Sequence, residues 1–255
     1  MRRMRTFDGI GIAYDVLGDG PPVLLHHGFA SESQTNWVRP GVAAAVVESG
    51  RSVVLIDARG HGQSDKPHDP AAYAGGAMVR DVRALLDELG IESIDVVGYS
   101  MGAFVSMALA TLDPPEGRLR SLALGGAGRG RGPNRSPEAM SAIADALEAP
   151  DKSTITDASA LAFRNFAEAT GADRVALAAI QRARSPQPEL AVLARISVPT
   201  LVVNGERDTL VGPPESLAAA IPGASFLSVP GDHISAVVKP EFRVALVGWL
   251  ESVSL

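Results

Sequence analysis

An α/β protein is expected from this sequence: a mostly parallel eight-stranded sheet flanked by helices, with a helical lid inserted after the sixth strand. Three observations lead there. Short continuous apolar runs, such as Val53-Val54-Leu55-Ile56 and Leu201-Val202-Val203, have the character of strands buried on both faces. They alternate with segments of helical period, as the crossovers of a parallel sheet require. That alternation stops between Gly125 and Ser197, where no strand pattern occurs.

In chain order, strands are expected near residues 6–8, 12–17, 22–25, 52–56, 94–97, 119–124, 200–203 and 225–229. Met78, Val79, Val82, Leu85, Leu86 and Leu89 form a helical stripe that stops at Gly90, a residue suited to the left-handed backbone that ends a helix. A last helix from about Pro240 has Phe242, Ala245, Leu246, Trp249 and Leu250 on its apolar face. Within the strandless region three helix starts stand out: Ser136-Pro137-Glu138, then Asp157 or Ser159, then Asp173. Residues 1–125 and 197–255 therefore read as the core and 126–196 as the lid, with the Gly/Arg-rich run 125–135 as its hinge.

Bulk properties narrow the function. The chain has 255 residues, 46% of them hydrophobic, enough for one large core. A net charge of −6 argues against a nucleic-acid surface, and no apolar run is long enough to span a bilayer. The basic start Met1-Arg2-Arg3-Met4-Arg5 leads into no apolar signal-peptide core, so a cytoplasmic location is expected. Without cysteine there is no disulfide, thiol nucleophile or thiolate metal site. The histidines at 26, 27, 61, 68 and 233 lack the helical pairing of a zinc-protease motif. No metal or cofactor is expected. The expected partner is a small-molecule substrate, with neither nucleic acid nor membrane involved.

The chemistry centres on Gly98-Tyr99-Ser100-Met101-Gly102. G-x-S-x-G is a weak pattern alone, but here an apolar strand precedes it and a helical stripe of Phe104, Val105, Ala108, Leu109 and Leu112 follows. A strand turning sharply into a helix forces the serine into a strained conformation that only small neighbours tolerate, and holds its hydroxyl clear of the sheet. The helix starting near Met101 offers free N–H groups to a developing negative charge. A serine hydroxyl also needs a base, and the base a carboxylate. Asn204-Gly205-Glu206-Arg207-Asp208 follows one late strand and supplies two candidate acids. Pro230-Gly231-Asp232-His233 follows the next and supplies the base, with Asp232 expected in solvent.

With the order Ser, acid, His, the chain resembles the α/β-hydrolase fold superfamily over nearly its whole length apart from the lid. His26-His27-Gly28-Phe29 resembles the family's H-G-x segment after the third strand. Asp57-Ala58-Arg59-Gly60-His61-Gly62-Gln63-Ser64 resembles its D-x-R-G-x-G-x-S loop after the fourth. The resemblance implies a carboxylesterase-like serine hydrolase: Ser100 as nucleophile, His233 as base, and Asp208, at the end of the G-x-x-D run, ahead of Glu206 as the acid. It implies an oxyanion hole from the backbone N–H groups of Phe29 and Met101, and a structural role for His27. Packing is left to His26, and loop shape to Asp57, Arg59 and His61.

Candidate substrate contacts are Phe29, Trp37, Met140, Phe163 and Phe166. Ile143, Leu147, Leu161, Leu177 and Ile180 of the lid serve either an acyl pocket or packing. His68 is expected to be exposed, and Arg129, Arg131 and Arg135 to be a solvated hinge rather than an anion site. Serine at the nucleophile position argues against the aspartate-dependent epoxide hydrolases and dehalogenases. The same triad also serves lactonases, carbon-carbon bond hydrolases and cofactor-free perhydrolases. A ligand sensor is the alternative outside enzymes.

Overall fold

Successive side chains of a strand point to opposite faces of its sheet, and in this chain both sets are apolar. The computed structural model describes residues 1–112, 117–129, 136–183 and 190–253. Its strands are β1 (Arg2–Arg5), β2 (Gly11–Leu17), β3 (Pro22–His26), β4 (Ser52–Asp57), β5 (Ile94–Tyr99), β6 (Leu119–Gly125), β7 (Thr200–Gly205) and β8 (Ser225–Val229). They form one sheet in the order β1-β2-β4-β3-β5-β6-β7-β8. The helices are α1 (Val42–Glu48), α2 (Ala77–Glu88), α3 (Met101–Leu112), α4 (Pro137–Glu148), α5 (Ala158–Thr170), α6 (Arg174–Arg182), α7 (Leu190–Leu193), α8 (Pro214–Ala220) and α9 (Pro240–Ser252).

The two faces of the sheet make two cores. Leu24, Val54, Val96 and Leu122 pack with Val82 and Leu85 of α2, Met107 of α3 and Leu217 of α8. Their chain neighbours Val23, Leu25, Val53 and Val97 pack on the opposite face with Val46 of α1 and with Phe242, Leu246 and Leu250 of α9. Each such fully buried side chain contributes roughly 1.5–3 kcal/mol. Helix α2 ends as its sequence requires, with Gly90 left-handed at φ +63.

Two expectations change. The sheet is mixed rather than mostly parallel, because β1 pairs antiparallel with β2, and β2 with β4, while β3 to β8 run parallel. The link between β1 and β2 is too short for a crossover, which leaves only the antiparallel arrangement. The first strand is Arg2–Arg5 instead of 6–8, since Thr6 and Gly9 close a turn in which the Gly9 N–H donates to the Thr6 carbonyl at 2.9 Å.

Between β6 and β7 lie α4 to α7. Ser136, Asp157 and Asp173 cap α4, α5 and α6, each side-chain oxygen accepting from backbone N–H groups of the first turn. Ile143, Leu147, Ala160, Ala167 and Leu177 form a third core among these helices, and Ala30, from the loop after β3, joins it. Buried Arg164 of α5 donates to the carbonyls of Ala146 and Ala149 at 2.7 and 2.8 Å, satisfying the open end of α4. Short α7 had no capped start in the sequence. Among the described residues, no helix is long and apolar enough to cross a membrane.

Candidate active site

Ser100 stands between the end of β5 and the start of α3 at φ +51. The residues two positions to either side must be glycine: a methyl carbon built at Gly102 would overlap the His26 carbonyl, and one at Gly98 the Gly102 carbonyl. The Ser100 N–H donates to Gly125 O at 2.8 Å, tying the turn to β6, and the Phe104 N–H donates to Ser100 O at 3.2 Å. Phe104 thus makes the first α-helical bond. The N–H groups of Met101, Gly102 and Ala103 have no partner within their own helix.

Two loops bring His233 and Asp208 to Ser100. The N–H groups of Glu206 and Arg207 donate to the carbonyls of Val229 and Gly231, both at 2.9 Å, and so join the loop after β7 to the loop after β8. Asp208 Oδ2 lies 2.8 Å from His233 Nδ1, and His233 Nε2 lies 2.9 Å from Ser100 Oγ. An ionised carboxylate only accepts, so Nδ1 carries the imidazole proton and Nε2 is left to accept from the serine. The Asp208 side chain is 2% exposed, and its Oδ1 accepts from Leu210 N at 3.0 Å. The Tyr99 hydroxyl donates to His233 O at 2.7 Å. Glu206 and Asp232 are exposed, and Asp232 accepts from the backbone of Ile234 and Ser235.

The loop after β3 is bonded on most sides. Asn36 Oδ1 accepts from Gly28 N at 3.0 Å, and His27 Nδ1 donates to Gly28 O at 2.8 Å. The Ala30 N–H donates to His61 Nε2 at 3.2 Å, and Ala30 O accepts from the Thr170 hydroxyl at 2.8 Å. Among the described residues, no acceptor is bonded to the Phe29 N–H. His27 Nε2 accepts from Ala58 N at 3.0 Å. Burial holds the pKa of His26 down to about 3, and the neighbouring His27 adds to the effect because the two rings cannot readily be charged together. Burial also lowers those of His27 and His61, and the three rings stay neutral spacers. Asp57 accepts from Ser33 N and Gln63 N, and Arg59 pairs with Asp81 and Asp8, so both shape the loops beneath the site.

Two cavities meet at Ser100. The larger, about 310 Å³, is lined by Phe29, Tyr73, Met78, Val79, Met101, Phe104, Val105, Ala108, Met140, Ile143, Phe163, Ile180 and Val211. The smaller, about 160 Å³, is lined by Ser31, Thr35, Asn36, Ser159, Phe166, Ile234, Val237 and Val238. Phe29, Ser100, Phe163, Leu210 and His233 border both.

Residues 21–172 match the model of the alpha/beta hydrolase fold family, more than half of the chain. The chain belongs to that family. Over nearly its whole length, 91% of this chain and 94% of the relative's, it is 29% identical to the putative non-heme bromoperoxidase BpoC of Mycobacterium tuberculosis. An uncharacterized protein of the same organism is 40% identical over 108 residues, which is 42% of this chain but only 30% of that relative. Among solved structures, a hydrolase from Pseudomonas aeruginosa aligns with a TM-score of 0.79 at 28% identity, covering 99% of this chain and 97% of that one. An esterase from Thermogutta terrifontis aligns with a TM-score of 0.75 at 26% identity, covering 99% of each chain.

The structure brings together Ser100, Asp208, His233, Phe29 and Met101, and places Met140 and Phe163 in the larger cavity and Phe166 in the smaller. Trp37 is a correction. It is fully buried and lines neither cavity, because it packs on the ring edges of Tyr99 and against Phe242 in the core behind β5. Leu147 and Leu177 are likewise taken up by the core of the insertion. His68 is exposed and bonds Asp173 at 3.0 Å. Arg129 is exposed, while Arg131 and Arg135 lie outside the described residues. Sequence reading missed Phe104, Tyr73, Asn36 and Thr170. Phe104 was within reach, being one helical turn beyond Ser100. The others belong to no motif, and the Thr170 partner Ala30 lies 140 residues away.

Proposed function

We propose that this alpha/beta hydrolase is a serine hydrolase that cleaves an ester or related acyl bond of a small apolar substrate through an acyl-enzyme. One observation supports it above the rest: the hydrogen-bonded line from Asp208 through His233 to Ser100, which ends between two cavities with apolar walls. Ser100 Oγ attacks the substrate carbonyl while His233 Nε2 takes its proton, and Asp208 stabilises the imidazolium. The N–H groups of Phe29 and Met101 receive the oxyanion, each donor contributing about 3 kcal/mol. His233 then protonates the leaving group and activates the water that clears the acyl group. The insertion serves as the lid over this site.

At roughly 30 Å³ per small group, the larger cavity of about 310 Å³ holds on the order of ten non-hydrogen atoms, the size of a short or medium acyl chain or one ring. The test is an activity screen of purified protein on acyl esters, lactones, amides and β-diketones, with Ser100→Ala as the blank. Many turnovers per molecule on an ester are expected. A stoichiometric burst without steady-state release across the panel would replace the enzyme with a ligand sensor. The full-length likeness to a putative bromoperoxidase supports adding hydrogen peroxide as a competing acceptor of the acyl group.

A further inference from the structure

Ala30 adjoins the proposed oxyanion donor Phe29, and its environment comes from the insertion. Its backbone is left-handed at φ +58, a conformation that costs an L-residue about 1–2 kcal/mol. Such a residue holds its geometry only if its surroundings over-determine it. The Ala30 methyl is fully buried in the core formed by Ile143, Leu147, Ala160 and Ala167. Its N–H is held from the sheet side by His61, and its carbonyl from the insertion by Thr170, 140 residues away in sequence. The Phe29 ring meets Phe163 of α5 edge-on at 5.9 Å.

We infer that Thr170, at the end of α5, is a positioning residue for the oxyanion hole: its hydroxyl fixes the Ala30 carbonyl and thereby aims the neighbouring Phe29 N–H at Ser100. The inference rests on the serine-hydrolase reading above. It makes the insertion part of the catalytic scaffold as well as a cover. The Thr170 hydroxyl has one proton and three carbonyls in reach, Ala30 at 2.8 Å and, in its own helix, Phe166 at 3.0 Å and Ala167 at 3.2 Å. A threonine bonded only to its own helix is an ordinary feature without catalytic consequence. The two alternatives differ in what a valine does.

The experiment compares wild type, Thr170→Val and Thr170→Ser on a short activated ester, with a short arylalkyl trifluoromethyl ketone as inhibitor, whose adduct with Ser100 puts an oxyanion in the hole. Removing one donor outright costs about 10²- to 10³-fold in kcat; loosening it should cost less. Thr170→Val is expected to lower kcat about tenfold with KM within twofold of wild type. The ketone's inhibition constant should rise by a similar factor, and Thr170→Ser should restore both. An unchanged kcat in Thr170→Val overturns the inference. So does a loss of kcat without weaker ketone binding, which marks a merely structural residue. If wild type neither turns over any acyl substrate nor binds the ketone, the hydrolase reading itself has failed and takes the inference with it.

Discussion

Ala30 and Ser100 are the two non-glycine residues with left-handed backbones among those described, at φ +58 and +51, and Gly28, two residues before Ala30, lies against Ser100. A side chain built on Gly28 would touch Ser100 Cβ at 3.4 Å. The two strained residues thus adjoin the two N–H groups proposed to receive the oxyanion. Strain concentrated in this way is a feature of sites whose geometry is fixed before the substrate arrives.

Replacing Ser100 therefore separates stability from activity. Ser100→Gly removes the nucleophile together with the left-handed penalty, and should raise stability by about 1 kcal/mol in a urea titration. Ser100→Ala keeps the strain and should leave stability near wild type. Both should lower kcat on an activated ester by at least about 10³-fold. Wild-type turnover in either variant would show that another group attacks the substrate.

The acid can be tested by a pair of isosteric changes. Asp208→Asn removes the carboxylate that sets the His233 tautomer and should cost about 10²- to 10⁴-fold in kcat. Glu206→Gln, at an exposed position on the same loop, should stay within twofold of wild type. The reverse result would transfer the role to Glu206.

The site and the sheet were readable in the sequence to different depths. Ser100, Asp208 and His233 each follow an apolar strand closely, so a local pattern marks each one and their meeting follows from the parallel order of β5, β7 and β8. The antiparallel edge was not readable from apolar runs, because a strand's direction depends on its connections and not on its composition. Nothing local to Trp37 separates a pocket wall from a core, because an aromatic side chain suits either equally well. Burial against Tyr99 and Phe242 decides between them, and both lie far off in sequence.

Acid should destabilise the fold before it protonates the carboxylates. His26, His27 and His61 are buried with their pKa values lowered, His26 to about 3, so in the unfolded chain, near about 6.5, they bind protons that the folded state refuses. Stability is complete above the unfolded value and is lost as pH falls below it, by up to about 1.4 kcal/mol per pH unit for each ring. Urea midpoints at pH 7.5 and 5.0 should show this loss, and His26→Leu should reduce the slope by one proton. A slope unchanged in that variant would mean that His26 is charged in the fold.

On the proposed reading, cavity size should set the acyl preference. Esters with acyl chains of roughly two to eight carbons should be hydrolysed faster than those of twelve or more, and emulsified long-chain triglyceride poorly. Met140→Trp, on the wall contributed by α4, should shift the preference to shorter chains while leaving acetyl esters within a fewfold. Faster turnover of long-chain lipid would contradict this assignment of the cavity.

Ser100 and His233, its proposed base, are 133 residues apart in sequence, with the whole insertion and three strands made between them. A growing chain that has reached only β6 has its nucleophile but neither His233 nor Asp208. Its serine is then an ordinary alcohol, unable to take an acyl group from the small esters around it. Reactivity comes only with the last two loops, and in refolding the return of turnover should trail the return of helical signal.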